Sequence, residues 1–280
     1  MNVTKKYTGV IVPAVTPLMA NYKLDEGAAE KIFNSFYQHN IAPFILGTTG
    51  EAASLPIQLK KEYVLAAAKN KKAGTLLYAG IGSNVLEESI EFANYCREHN
   101  VDVLVATLPS YYPLTEEQMK NYFEKLADSI SLPLFIYNIP ATTHMSIPLT
   151  VIDELSQHQN IVGLKDSERS EERMLQSLRL WKDRPDFHYI LGWAAKSAEA
   201  LLHGADGLVP STGNLYPEIY EDMMKAFEKG DKEAMMKMQQ LSDEYGALYQ
   251  SNRTLGESLY VLKQLMKEKG LCEEYLMPPL

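Results

Sequence analysis

Ile161-Val162-Gly163-Leu164-Lys165-Asp166-Ser167 is a short apolar run that ends in a lysine, a carboxylate and a hydroxyl. A continuous apolar run, as opposed to an alternating one, marks a strand covered on both faces, as in a parallel sheet. Turn residues and a longer amphipathic stretch follow, which makes a strand-helix unit. The same grammar recurs in runs that begin near Gly9 (GVIVPAVTP), Ala42 (APFILGTTG), Thr75 (TLLYAGIG), Asp102 (DVLVATLP), Pro133 (PLFIYNIP), His188 (HYILGW) and Asp206 (DGLVPST). Successive starts lie 27 to 33 residues apart, apart from a last step of 18. That is close to the ~30 residues of a strand plus its return helix. Eight such units fit an α/β fold of the closed (β/α)8 TIM barrel type. An open doubly wound sheet is the alternative that periodicity leaves open.

The chain has 280 residues, of which 46% are hydrophobic, 10% aromatic and 22% charged. This balance describes a folded domain and not a disordered, collagenous or coiled-coil chain. No proline-, glycine- or serine-rich linker divides it. Residues 1–212 are therefore expected to form the barrel and residues 213–280 a C-terminal helical extension packed on it. Within the extension Met235, Met238, Leu241, Tyr245 and Leu248 recur at helical spacing. This apolar stripe is expected to pack on the barrel wall or a subunit interface, with a methionine-rich partner groove as the alternative. Helix starts are marked by Ser54 ahead of Pro56, and by Thr115-Glu116-Glu117-Gln118 as a capping box.

A net charge of −9 offers no general basic face, so no nucleic acid partner is expected. Cys96 and Cys272 are too few for a disulfide scaffold and point to a reducing cytoplasm. Lys5 and Lys6 ahead of an apolar stretch imitate a signal peptide, but Pro13 and Pro17 interrupt it. Apolar runs elsewhere fall short of the ~20 residues of a bilayer span, so a soluble, cytoplasmic protein with no membrane partner is expected. Asn2-Val3-Thr4 and Asn252-Arg253-Thr254 match a glycosylation pattern that has no meaning in that compartment.

A barrel places its chemistry at the C-terminal ends of its strands. Those ends carry Gly47-Thr48-Thr49-Gly50-Glu51, Ser110-Tyr111-Tyr112, Tyr137-Asn138, Lys165-Asp166-Ser167, Gly192-Trp193 and Ser211-Thr212. Lys165 emerges from an apolar strand, where desolvation lowers an ammonium pKa and frees an amine nucleophile for Schiff-base chemistry. The plainer reading is a lysine that ends a strand in water. Tyr137, on the neighbouring strand, offers a phenol for proton transfer; its plainer reading is a core tyrosine with a satisfied hydroxyl. The Gly47–Gly50 turn can aim backbone amides at a carboxylate, beside the hydroxyls of Thr48 and Thr49, or can be a simple turn. Gly80-Ile81-Gly82-Ser83-Asn84-Val85 has Val85 where a dinucleotide fingerprint needs its third glycine, which excludes nicotinamide binding. His39, His99, His158 and His203 fall in helical segments and are expected to cap or face solvent.

Together, Gly47-Thr48-Thr49-Gly50-Glu51, Pro109 with Tyr111, Tyr137-Asn138-Ile139-Pro140, Gly163-Leu164-Lys165-Asp166 and Gly204-Ala205-Asp206-Gly207 make the chain similar to the dihydrodipicolinate synthase/N-acetylneuraminate lyase family. The resemblance covers nearly the whole length. It implies pyruvate-dependent Schiff-base enzymes on a (β/α)8 barrel, usually assembled as tetramers of paired dimers. It implies no metal and no separate cofactor, only a covalent imine on Lys165. Thr48 and Thr49 are then implied to bind the carboxylate, Tyr137 to be the general acid/base, and Thr48 and Tyr111 to complete a proton relay. That last tyrosine often comes from a neighbouring subunit, so self-association as a homotetramer or homodimer is expected. Val209 is implied to line the pyruvate pocket and Gly192 to meet substrate through its backbone.

Departures from the family pattern bear on substrate. The synthases carry an arginine where this chain has Thr142, which offers no guanidinium fork for aspartate semialdehyde. Acylneuraminate lyases carry Asp and Glu soon after the glycine at Gly192, where this chain has Trp193-Ala194-Ala195. The pattern is closest to the 2-keto-3-deoxy sugar acid branch. Ser167 and Ser211 are candidate contacts for substrate hydroxyls. His144 is a candidate contact for the aldehyde portion, with a solvated loop histidine as the alternative. The expected function is a class I aldolase/lyase whose partners are pyruvate and a small aldehyde or sugar acid. The alternatives are 4-hydroxy-tetrahydrodipicolinate synthase, N-acetylneuraminate lyase, or a non-catalytic 2-oxo-acid sensor.

Overall fold

The computed structural model describes residues 5–280, so the Asn2-Val3-Thr4 pattern lies outside them. The strands are β1 (Gly9–Pro13), β2 (Ala42–Ile45), β3 (Tyr78–Gly80), β4 (Val103–Thr107), β5 (Leu134–Asn138), β6 (Ile161–Asp166), β7 (His188–Leu191) and β8 (Gly207–Leu208). The helices between them are α1 (Glu26–Gln38), α2 (Ile57–Asn70), α3 (Leu86–Glu98), α4 (Glu116–Ser129), α5 (Pro140–Thr143), α6 (Leu149–Leu155), α7 (Glu171–Trp181) and α8 (Ser197–Leu202). After β8 come α9 (Pro217–Glu228), α10 (Lys232–Gln250) and α11 (Leu255–Glu268). Each strand neighbours the next, all are parallel where paired, and the ring closes from β8 to β1. The closing bond runs from the Gly9 amide to the Asp206 carbonyl at 2.9 Å. The expected TIM barrel is what forms.

Local chemistry explains the element boundaries. Asp25, Ser170 and Asp231 each accept a backbone amide at a helix start, and Thr115 with Gln118 and Thr254 with Glu257 make reciprocal capping boxes. Ser54 does not cap α2: it lies in a one-turn helix over Ala52–Ser54, and Pro56 stands at the cap position without a side-chain bond. His39, His99 and His203 stand at helix C-caps. No helix among the described residues is long and apolar enough to cross a membrane.

Contact density divides the chain into two compact units. One holds residues up to Gly9 together with Gly80–Val209. At the N-terminal ends of its strands Lys5 Nζ pairs with Asp206 at 2.9 Å, and Asp206 also accepts the Tyr189 amide at 2.8 Å. The Tyr7 ring meets those of Phe135 and His188 edge-on, at 5.7 and 5.0 Å. His188 is buried, its Nδ1 lies 2.9 Å from the Val162 carbonyl, and its Nε2 has no hydrogen-bond partner among the described residues. Burial pulls the imidazole pKa below the ordinary histidine range, against the Val162 carbonyl and the Asp206 carboxylate, which raise it. The unfolded chain therefore takes up a proton near the ordinary histidine value while the folded chain does not. Stability should be full above that value and fall as pH drops through it. Urea unfolding at pH 7.5 and 5.5 should show the loss, and His188→Gln should reduce it.

The other unit holds Val10–Ala79 and Pro210–Leu280. Asn214 ties its two segments together, accepting the Val15 amide at 3.2 Å and donating to the Pro13 carbonyl at 2.9 Å. Helix α10 corrects the expected stripe: Met235, Gln239, Ser242 and Tyr249 are its buried face, while Leu248 is exposed. The Tyr220 hydroxyl meets the Ser242 hydroxyl at 2.7 Å, so polar pairing has replaced some of the apolar contact that spacing implied. Tyr245 instead stacks on Tyr216 at 3.8 Å.

Candidate active site

Strands β5 and β6 pair in a register that sets Tyr137 beside Lys165 and Asn138 beside Asp166. Side chains alternate along a strand, so Lys165 and Asp166 leave on opposite faces. Lys165 is 3% exposed, and its Nζ lies 3.4 Å from the centroid of the Tyr137 ring. Burial lowers its pKa below the ordinary lysine range; the Tyr137 phenol opposes this by charge interaction and hydrogen bonding. Desolvation wins, which holds more of the amine in the neutral, nucleophilic form.

The opposite face carries a polar network that sequence reasoning missed. Asp166 accepts Asn138 Nδ2 at 2.9 Å, Arg173 Nε at 2.7 Å and the Glu168 amide at 3.0 Å. Burial raises the Asp166 pKa, and Arg173 is the largest opposing influence. Glu168 accepts Asn138 Nδ2 at 3.0 Å and the Ser146 hydroxyl at 2.6 Å. Asn138 Oδ1 takes the Ile147 amide at 3.1 Å. The network fastens the ends of β5 and β6 to each other and to the loop after α5. The adjoining Tyr-Asn and Lys-Asp pairs carry a signal for it only once the register is known.

Ser167, Gly192 and Val209 directly follow β6, β7 and β8 in turn. The Gly192 amide donates to the Asp166 carbonyl at 2.6 Å, and a Cβ at position 192 would collide with Ser167 Oγ. Glycine is needed there for the close approach of the two chain segments. Val209 is buried, and its amide bonds the Leu191 carbonyl at 2.7 Å. His144 caps α5 with a left-handed φ of 59° and faces solvent. The hydroxyls of Thr142 and Thr143 both donate to the Ile139 carbonyl, at 3.4 and 3.1 Å. Tyr111 is exposed and meets Tyr112 edge-on at 4.8 Å.

In the second unit Thr49 is buried and Thr48 half-buried. Their turn is tight: the Gly50 amide donates to the Gly47 carbonyl and the Glu51 amide to that of Thr48, both at 3.1 Å. Glu51 ends the turn at a left-handed φ of 58°. Its carboxylate is buried, pairs with Lys263 Nζ at 2.5 Å and accepts the Met277 amide at 2.8 Å. Lys263 also donates to the Tyr275 carbonyl at 2.6 Å. Sequence reading quoted Glu51 but did not find this partner. Ser211 Oγ lies 2.6 Å from the Tyr249 hydroxyl, which Gln250 Nε2 also reaches at 2.8 Å.

Comparison with known proteins fits this geometry. The 4-hydroxy-tetrahydrodipicolinate synthase of Bradyrhizobium diazoefficiens is 29% identical over 278 residues, which is 98% of this chain and 91% of that protein. The dihydrodipicolinate synthase of Bacteroides thetaiotaomicron superposes with a TM-score of 0.93 at 28% identity, covering 100% of this chain and 94% of its own. YagE of Escherichia coli K12, named as a candidate 2-dehydro-3-deoxy-D-gluconate aldolase, is 27% identical over 228 residues, 80% of this chain and 76% of that protein. Its structure in complex with pyruvate gives a TM-score of 0.92 at 25% identity, covering 98% and 92% of the two chains.

The protein is a lyase, a class I pyruvate-dependent aldolase built on a TIM barrel. The profile described as the dihydrodipicolinate synthetase family matches residues 6–280, and the chain belongs to that family.

Proposed function

We propose that the protein is a Schiff-base aldolase that splits a 2-keto-3-deoxy sugar acid into pyruvate and an aldehyde, or joins the two. One observation carries the reading: a buried lysine of lowered pKa lies 3.4 Å from a tyrosine ring on the paired strand. Lys165 Nζ attacks the C2 carbonyl, and water leaves to give an iminium. Tyr137 takes the proton of the C4 hydroxyl while the C3–C4 electron pair moves into the iminium, releasing the aldehyde and leaving an enamine. The enamine regains a proton at C3, and water then frees pyruvate from the lysine. For Thr48 and Thr49 the carboxylate role stays the one that the resemblance implies, as do self-association and a cytoplasmic setting.

The substrate class rests on what the chain lacks and on one relative. Thr142 supplies no cation, and its hydroxyl is turned onto a backbone carbonyl, which suits a hydroxylated aldehyde better than an anionic one. The YagE likeness supports the same branch. A second reading, 4-hydroxy-tetrahydrodipicolinate synthase, draws support from the relatives of that name.

Pyruvate with borohydride should leave a pyruvate-derived mass on the Lys165 peptide. The labelling rate should reach its plateau at a pH below the ordinary lysine range. A panel of 2-keto-3-deoxy acids should release pyruvate. Efficient condensation of pyruvate with aspartate semialdehyde would favour the second reading, and absence of the adduct would sink both.

A further inference from the structure

Tyr111 lies on the loop between β4 and α4 and is 76% exposed. Within this chain the ring meets that of Tyr112 edge-on at 4.8 Å, and the backbone beneath it sets the direction in which it is presented. Two side chains from distant segments grip that backbone. Asn84 Oδ1, from the loop between β3 and α3, accepts the Ser110 amide at 2.8 Å and the Tyr111 amide at 3.2 Å. The Met145 sulfur, just beyond α5, accepts the Leu114 amide at 3.1 Å.

The segment that presents Asn84 is itself fixed. The Ile81 amide donates to the Val105 carbonyl at 3.0 Å, and a Cβ on Gly82 would stand 2.7 Å from Thr107 Oγ1. Ser83 Oγ donates to Glu88 at 2.6 Å and accepts the Val85 amide at 3.1 Å. Gly80-Ile81-Gly82-Ser83-Asn84-Val85, which is not a nucleotide fingerprint, thus ends in an acceptor aimed at two consecutive amides of the Tyr111 loop. One oxygen bound to both amides fixes the peptide planes on either side of the Ser110 Cα, and with them the direction in which Tyr111 leaves the chain.

We propose that Asn84 is a positioning residue that sets Tyr111 for proton transfer, with Met145 as the second point of the brace. The inference rests on the Schiff-base function and deepens it: Tyr111 handles the proton, and Asn84 acts only through Tyr111.

The probe is pyruvate in heavy water. The iminium on Lys165 loses a C3 methyl proton to a base, giving the enamine, and the enamine takes back a deuteron. Proton NMR reads this exchange with no need for the aldehyde. Asn84→Ala should slow it about tenfold, on the scale expected for losing two such hydrogen bonds, while the yield of borohydride-trapped adduct stays unchanged. Asn84→Asp keeps the acceptor oxygen and should stay within about twofold of the wild type. In a Tyr111→Phe background Asn84→Ala should cost nothing more, because residues acting as one unit are not additive. Amide hydrogen exchange should rise at Ser110 and Tyr111 in Asn84→Ala and not along β6. Should Asn84→Ala fail to fold, Met145→Leu removes the sulfur acceptor at similar volume and supplies the same cycle.

Multiplying losses in the two backgrounds, or unchanged amide exchange at Ser110 and Tyr111, would overturn the brace. A wild-type protein that traps no pyruvate would overturn the function and the proton role with it, an outcome separable from a brace that fails in an active enzyme.

Discussion

Replacing Lys165 with alanine is expected to remove turnover by at least about 10⁴-fold, the scale seen when a covalent nucleophile is deleted. It should also abolish the pyruvate adduct while leaving the fold intact. Lys165 sits on the inward face of β6, 3% exposed, against the Tyr137 ring. Its charged form is the one that burial penalises, so truncation relieves an electrostatic cost even as it leaves a cavity. Circular dichroism and urea unfolding should therefore move little. Lys165→Arg keeps a cation but offers no nucleophilic amine, and should be as inactive as alanine. Tyr137→Phe should behave differently, still forming the adduct but turning over ~10²–10⁴-fold more slowly, the range of general acid–base contributions. Measurable pyruvate release by Lys165→Ala would contradict the mechanism outright.

Lys263→Met should be the most destabilising single substitution discussed for this chain. Lys263 is almost fully buried, pairs with Glu51 at 2.5 Å and donates to the Tyr275 carbonyl at 2.6 Å. Removing one partner strands the Glu51 carboxylate without its cation, a change that costs about 3–5 kcal/mol in buried pairs. Glu51 also follows Thr48 and Thr49 in one tight turn, so the loss should reach the turn and raise KM for pyruvate. The double variant Glu51→Gln/Lys263→Met removes both charges and should recover much of the stability, because an uncharged pair has no stranded ion. Thermal unfolding of the wild type, Lys263→Met and the double variant distinguishes this from simple loss of packing, which would leave the double variant worse than Lys263→Met alone.

The barrel was readable because buried parallel strands are written as continuous apolar runs. β5 and β6 announce themselves as LFIYN and IVGLKD. The eighth strand is less visible: only Gly207 and Leu208 pair as a strand. Helix α5 has four residues, too few for any period, and only Pro140 at its first turn marks it. Lys165 and Tyr137 were legible as strand-end residues, and their register put them together. Glu51 and Lys263 were not, because the bond joins residues far apart in sequence and no local pattern links them. The network of Asp166, Asn138, Glu168 and Arg173 lay hidden for a related reason, since it depends on which strand face each side chain leaves. On α10 the helical period was sound but the buried face was not the most apolar one, because Ser242 and Tyr249 are turned inward to hydroxyl partners.

The bond from Gly9 to Asp206 that closes the ring, reinforced by the ion pair of Lys5 with the same aspartate, fixes an order of events during synthesis. The first strand leaves the ribosome with one neighbour soon to follow, but its other edge stays unpaired until the eighth strand has been made. Exposed strand edges recruit other chains, so a nascent polypeptide of this kind spends most of its translation with an open flank. A pause anywhere between the first strand and the eighth would prolong that vulnerable interval, and a pause after the eighth would not.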